Sequence, residues 1–478
     1  MNRTKKLAGI FVSAALVTAA FTTAGPALAS DQQCGGSGTV TPVTGTLPDG
    51  ATYKIECPAG PWNGTLFLYS HGYVVPGSPN PARDAGDQVT AGYMLAHGFA
   101  LAGSSYATTG WALQQALPDQ ISTLDVFDQA FGTPSQTVAW GHSLGGIITA
   151  GLIQRYPDRF SGALPMCGVL AGGVATWNTA LDAEYAFQRL IDPDVQVVNI
   201  TDPSGNLSQA EQAAQRAQTT PRGRARLALA AALGDTPGWF DPLSTEPAPS
   251  DFADQELNQF KWDTQVDFPF IFAFRAELEA RAGGNPSWNT GVDYSAQLAN
   301  SADLQEVTAL YQAAGLRLTR DLAKLNVGDR ISPDVSAADY LEHNITFNGQ
   351  LTVPVLSMHT TGDGLVIPQN EQAYSSVVDQ AGDQSLLRQV FVHRAGHCTF
   401  TPAETITAVQ VLVNRLSAGQ WDSTALQPDS LNTQAAALGS NFNIFVVNGT
   451  VVPVPPAFES FQPSVYPRPF AFGDPIGG

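Results

Sequence analysis

Three residue types that together can activate an oxygen nucleophile recur here in a suggestive arrangement: Ser143, Asp363 and His397. Ser143 stands in Val138-Ala139-Trp140-Gly141-His142-Ser143-Leu144-Gly145-Gly146-Ile147-Ile148, between an apolar strand-like run and a helix-like run. Glycines two before and two after the serine leave room for a sharp strand-to-helix turn that pushes the hydroxyl out of a sheet. A serine hydroxyl is a weak nucleophile at neutral pH. It needs a histidine to take its proton and a third group to orient that histidine. His397 lies in His393-Arg394-Ala395-Gly396-His397-Cys398, and Asp363 in Thr361-Gly362-Asp363-Gly364-Leu365-Val366-Ile367-Pro368, each after an apolar run. His393 competes for the role of base, but it falls at a strand end, whereas His397 lies in the loop that can reach back to the serine. Asp-Gly is also an ordinary turn pair, and Glu371 is the neighbouring alternative to Asp363. The chemistry implied is acyl transfer: attack on a carbonyl and passage through an acyl-enzyme. His71 and His142 flank the serine's surroundings and read as hydrogen-bonded structural residues, so no metal and no cofactor is expected.

The elements that must position these groups alternate. Cys34 to Cys57 brackets an opening hairpin, with segments around Thr39 to Val43 and Ala51 to Glu56 and a turn at Pro48-Asp49-Gly50. Thr65 to Tyr69 is apolar throughout, as a strand buried on both faces should be. It runs into Ser70-His71-Gly72-Tyr73, a glycine-containing loop that can turn a backbone N–H towards the site. A helix is expected over Gln88 to Ala96, a strand over Phe99 to Ala102, and a helix through Ile121, Leu124, Phe127 and Phe131. After the serine come a helix ending before Pro157 and a strand from Ala163 to Cys167. The strand Val353 to Met358 delivers Asp363, the strand Leu386 to Val392 delivers His397, and a helix from Pro402 to Leu416 follows. Strands alternating with helices indicate a parallel sheet covered by helices.

The alternation stops over residues 171–350. That stretch has helical periodicity: a capping box Ser208-x-x-Glu211, a stripe Leu304, Val307, Leu310 and Tyr311, and a run Phe270 to Leu278 closed by Gly283-Gly284. We expect a helical cap, whose many aromatics, Trp177, Trp262, Phe268, Phe270 and Phe272 among them, mostly fill its own core. Residues 426–478 interleave Pro453, Pro455, Pro456, Pro463, Pro467 and Pro469 with Phe458, Phe461, Tyr466, Phe470 and Phe472. The prolines exclude a helix or central strand, while the aromatics argue against pure disorder. A strap along the surface is expected.

Residues 1–29 read as an export signal: Arg3, Lys5 and Lys6, an apolar run from Leu7 to Phe21, and Ala27-Leu28-Ala29 as a small-residue cleavage site. The run is shorter than a membrane-spanning helix needs. A secreted protein without stable membrane insertion is therefore expected. With 23 Lys and Arg against 42 Asp and Glu, the net charge is -19. Such a surface repels nucleic acid and anionic membrane and favours solubility. Four cysteines in an exported chain point to two disulfides.

On His71-Gly72, Gly141-His142-Ser143-Leu144-Gly145-Gly146, Gly362-Asp363-Gly364-Leu365-Val366 and Gly396-His397, the chain resembles the α/β-hydrolase superfamily, in particular its secreted bacterial esterases and lipases. Ser, then Asp, then His is that superfamily's chain order. The resemblance covers about residues 36 to 170 and 351 to 420. It implies the α/β-hydrolase fold, a mostly parallel sheet with helices on both faces and a large helical cap inserted between the sixth and seventh strands. The parts would be 30–170 (core), 171–350 (cap), 351–425 (core) and 426–478 (extension). It also implies Ser143 as nucleophile, His397 as base, Asp363 as the orienting acid, and an oxyanion hole from the backbone N–H groups of Leu144 and Tyr73, with Gly72 as the alternative to Tyr73. In that fold the histidine loop crosses the end of the strand holding Cys167, which pairs Cys167 with Cys398 and leaves Cys34 with Cys57.

The expected activity is hydrolysis of a carboxylic ester, with a small-molecule, lipid or polymeric ester as substrate. A serine peptidase of the same fold is the first rival, with Glu184, Glu277 and Glu279 as candidates to capture a charged peptide terminus. A non-catalytic binding protein is the second.

Overall fold

The strand Thr65–Ser70 shows how the sheet divides its side chains: Leu66 and Leu68 pack on one face, Phe67 and Tyr69 on the other, all of them buried. A two-residue side-chain period allows this only if both faces are covered. The computed structural model describes residues 33–477 except residue 41. The export signal, with Arg3, Lys5, Lys6 and Ala27-Leu28-Ala29, lies outside the described residues.

In chain order the strands are β1 (Pro42–Thr46), β2 (Thr52–Glu56), β3 (Thr65–Ser70), β4 (Ala100–Ser104), β5 (Gln136–His142), β6 (Gly162–Met166), β7 (Val355–Gly362), β8 (Leu387–Ala395), β9 (Ile444–Val447), β10 (Thr450–Pro453) and β11 (Phe458–Glu459). Nine of them form one sheet in the order β1-β2-β4-β3-β5-β6-β7-β8-β11. From β4 through β3, β5, β6 and β7 to β8 every pairing is parallel, and antiparallel strands close both edges. The helices α1 (Gln88–Ala96) and Pro402–Ala418 cover the face that carries Phe67 and Tyr69. The helices α2 (Leu113–Phe131), α3 (Leu144–Arg155) and Gln369–Ala381 cover the other.

Between β6 and β7 the chain makes a series of helices, from Gly173–Leu190 to Val335–His343. They have a core of their own, with Leu181, Tyr185, Phe187, Leu229, Phe268, Phe272, Val307 and Tyr311. The stripe from Leu304 lies on the helix Leu304–Ala313, and Gly283 ends the helix Arg275–Ala282 in a left-handed cap. The capping box expected at Ser208 is not one. Ser208 sits inside the helix Pro203–Gln218, whose N-cap is Asp202, accepting from Gly205 N at 3.1 Å. Asp202-Pro203 is itself a helix-start signal, with a capping side chain followed by proline in the first turn. A capping box does form at Thr401 and Glu404, heading the helix Pro402–Ala418.

The extension departs furthest from expectation. It contains the helix Pro428–Ala437, the hairpin β9–β10, and the edge strand β11 paired to Val392 and Phe391. Pro428 starts its helix, where the missing N–H costs nothing, Pro453 is the last residue of the two-stranded hairpin's β10, and the other prolines lie between or beyond strands. After β11 the chain returns to the cap instead of running over the surface. Tyr466 is buried against Ala171, Ala175 and Ile367, and Arg468 pairs with the buried Asp182 at 2.8 Å.

Candidate active site

Ser143 occupies the junction of β5 and α3 at φ 59° and ψ -124°. A non-glycine residue held in that region is strained, which is what an elbow of this kind imposes. The flanking glycines are sterically required. A Cβ on Gly145 would lie 1.9 Å from Ser70 O, and one on Gly141 2.4 Å from the same oxygen.

The three groups named from sequence meet across about 250 residues of chain. His397 Nε2 is 2.7 Å from Ser143 Oγ, and His397 Nδ1 is 2.7 Å from Asp363 Oδ2. Asp363 is fully buried, and its Oδ1 accepts from the backbone N–H groups of Leu365 at 3.1 Å and Val366 at 3.0 Å. Burial alone would raise its carboxyl, but His397 and His359 hold it below the usual carboxylate range. The competitors are elsewhere. His393 is half exposed between Glu459 at 2.9 Å and Glu246 at 3.5 Å. Glu371 faces away from His397, towards Ser357, Gln389 and His359.

His71 stacks on Tyr106 with both ring nitrogens at backbone carbonyls, those of Gly72 and Ser105. His142 Nδ1 is 3.1 Å from the Tyr69 hydroxyl in a partly buried contact, and desolvation pushes its ring down to about 4. Leu144 is the first residue of α3, so its N–H has no acceptor within the helix. Tyr73 and Leu144 line the same cavity as Ser143, and a Cβ on Gly72 would lie 3.3 Å from Ser143 Cβ. The loop after β3 thus passes within contact of the serine.

Disulfides join Cys34 to Cys57 and Cys167 to Cys398. The second spans 231 residues and fixes the residue next to His397 to the end of β6. Cys398 Sγ lies 3.4 Å from His397 Nε2.

The cavity above Ser143 has a volume of about 140 Å³, close to that of an apolar cavity able to take a benzene ring. Tyr73, Trp111, Trp177, Phe270, Leu365 and Tyr466 supply much of its wall. The cap aromatics therefore divide: Phe268 and Phe272 fill the cap core, as expected, while Trp177 and Phe270 face the cavity. None of the three glutamates named as possible terminus-binding groups is in that wall. Glu184 is fully buried 3.8 Å from Arg275, Glu277 accepts from Trp111 N and pairs with Arg281, and Glu279 accepts from Asn199 N and Ile200 N. The acids in the wall are Asp263 and Asp267.

Sequence reading missed those two, and it missed His359. His359 is wholly buried, with Nδ1 3.1 Å from Glu371 Oε1 and Nε2 3.6 Å from Asp363 Oδ2 and 2.7 Å from Val366 O. Burial works against its charge, but the carboxylates of Asp363 and Glu371 push it up to about 10. It therefore stands behind Asp363 as an imidazolium. Its signal was a histidine inside an apolar strand with an aspartate four residues on. The signal for the aspartates was two acids four apart inside Trp262-Asp263-Thr264-Gln265-Val266-Asp267-Phe268.

No protein-family model matches the chain. Over 450 residues it is 30% identical to the o-phthalyl amidase of Xanthobacter agilis, a match covering 86% of this chain and 94% of that one. Among solved structures, feruloyl esterase B from Aspergillus oryzae is 13% identical with a TM-score of 0.37, covering 80% of each chain. A rice cell wall degrading esterase from Xanthomonas oryzae is 12% identical with a TM-score of 0.34, covering 78% of this chain and 87% of that one.

Proposed function

Because the chain belongs to the α/β-hydrolase superfamily and, within it, to the family of the Xanthobacter agilis o-phthalyl amidase, we propose that it is a secreted serine hydrolase that cleaves amides or esters of a compact aromatic carboxylic acid. The observation that supports this best is the line Ser143 Oγ, His397, Asp363, with both contacts at 2.7 Å, opening into a cavity with room for one aromatic ring. The amidase name of that relative supports including amides beside the esters that the sequence suggests.

In this reading His397 Nε2 takes the Ser143 proton as Oγ attacks the substrate carbonyl carbon, and the buried Asp363 carboxylate stabilises the imidazolium that results. The tetrahedral oxyanion accepts from the backbone N–H groups of Leu144 and Tyr73, each donor contributing about 3–4 kcal/mol in sites of this kind. Collapse of the intermediate breaks the C–N or C–O bond, and His397 returns the proton to the departing amine or alcohol. This transfer matters more for an amide, since an amine leaves poorly unless protonated. Water, deprotonated by His397, then attacks the acyl-Ser143 ester and releases the acid.

Ser143→Ala should retain the fold and lose about a millionfold in kcat on benzoyl p-nitroanilide and p-nitrophenyl benzoate. The wild type should take a fluorophosphonate on Ser143 and prefer benzoyl to palmitoyl esters. A variant that keeps more than about a thousandth of the rate removes Ser143 from this role.

A further inference from the structure

The cavity holds two ionisable groups that the chemistry at Ser143 does not use. Asp263 and Asp267 lie one π-helical turn apart in the cap, and both line the cavity that contains Ser143. Asp263 is only 9% exposed. Among the described residues neither carboxyl makes a hydrogen bond or an ion pair, although their neighbours do: Trp262 donates to Trp239 O and Thr264 to Phe260 O. Buried polar groups are nearly always partnered within a protein. An unpartnered carboxyl in a ligand cavity is thus a group kept free for the ligand.

We propose that Asp263 and Asp267 form a subsite that holds a carboxylate on the ring of the aromatic acyl group, by donating hydrogen bonds to it. This rests on the reading of Ser143 as an aroyl-transfer nucleophile and names the substrate class within it.

Donation requires the acids to be neutral, and their surroundings make them so. Burial, with the carboxylate of Glu256 beside it, pushes Asp263 up to about 8. Burial, with Asp263 and Asp363 near, raises Asp267 well above the carboxylate range. The cations nearby are spent elsewhere: Arg224 on Glu256, and His359 on Asp363. Among the described residues no lysine or arginine lines the cavity. A ring carboxylate therefore finds O–H donors and no fixed cation. A carboxyl–carboxylate hydrogen bond is of the strong, charge-assisted kind. The o-phthalyl group named for the relative is a ring with a second carboxyl of this sort.

The test compares kcat/KM for the p-nitroanilides of benzoic acid and of 2-, 3- and 4-carboxybenzoic acid. At pH 7 the wild type should favour at least one carboxylated substrate over benzoyl by tenfold or more. The doubly substituted Asp263→Leu, Asp267→Leu protein should lose that ratio. The Asp263→Asn, Asp267→Asn protein keeps N–H donors and should keep it. Raising the pH past about 8 should erode the preference in the wild type but not in the asparagine protein. A wild type that cleaves the benzoyl substrate without preferring any carboxylated one overturns this subsite and leaves the proposed function standing. A wild type that cleaves no aroyl substrate overturns the proposed function. A preference that survives both leucines, one that grows with pH, or one for an aminomethyl-benzoyl substrate also overturns the subsite, the last by making the pair an ammonium site.

Discussion

Two sets of buried charged groups, one on each side of the cavity, are handled in opposite ways. On the core side, His359 lies between Asp363 and Glu371, and Arg394 grips Glu404 with two nitrogens, at 2.7 and 3.0 Å. On the cap side Asp263, Asp303 and Glu306 have no cation partner among the described residues, and burial raises them to about 8, about 8 and about 9. Even Glu184, 3.8 Å from Arg275, is raised well above its ordinary value by burial. These core pairs keep ions as ions, and Asp363 among them holds His397, although burial raises Asp84 and Asp119 elsewhere in the core to about 7. Alongside cap ion pairs such as Arg275–Glu279 and Arg468–Asp182, these cap acids are held neutral and can donate hydrogen bonds. In the proposed function, position is set from below the serine and what fits is set from above.

If catalytic position is a property of the core, the largest effect outside the three residues proposed to react should come from the disulfide beside His397. Cys398→Ala should lower activity by up to about a hundredfold, the cost of roughly 1 Å of misplacement, while the cap remains folded. Closing a loop of this length stabilises by about 5 kcal/mol in the chain-entropy model, and native strain reduces that. The check is to compare the loss of activity with loss of near-ultraviolet circular dichroism as temperature rises. If the two fall together, the disulfide holds the fold and has no separate hold on the histidine.

A smaller effect separates the two sides directly. His359→Leu strips the counter-charge from Asp363 and Glu371 and should cost about 3–5 kcal/mol in denaturant unfolding at pH 7, as breaking a buried pair does. Glu306→Gln replaces an acid that is already neutral with an amide of the same shape, and should change stability by no more than about 1 kcal/mol. Equal losses would erase the distinction between core and cap.

The sequence made the core side legible and the cap side much less so. The Gly-x-Ser-x-Gly turn, the fully apolar β3 and the loops after β7 and β8 are local patterns, and a parallel sheet converts their order into a single site. His359 escaped because its function depends on Glu371, one helical turn into the next element, and a lone histidine in a strand has no local signature. Asp263 and Asp267 escaped for another reason. Two acids in a helix normally signify a solvated face, and only tertiary burial turned that face inward. Glu184, Glu277 and Glu279 drew notice by charge alone, yet each is engaged or buried within the scaffold. The extension misled through its prolines, which exclude helix interiors but not helix starts or edge strands.

The smallest effect is the pH dependence of stability, where core and cap should pull in opposite directions below neutrality. Asp363 is lowered in the fold, so its contribution is present above its ordinary value of 3.8 and is lost as the pH falls through the lower folded value. Cap acids are raised, so their contribution is complete below about 4 and is lost as the pH climbs towards the folded values near 8 and 9. For each such acid the slope is about 1.4 kcal/mol per pH unit at most. His359 adds to the alkaline loss: it is raised from 6.5 to about 10, so its contribution is full below 6.5 and gone above about 10. Melting temperature should therefore be highest in mild acid, between these limits, and should decline from there through pH 9. Glu306→Gln should flatten the decline between pH 5 and 9 without altering the acid limb. A variant whose alkaline decline matches the wild type would mean that Glu306 is ionised in the folded cap, and the contrast between paired core charge and neutral cap acid would fail at that residue.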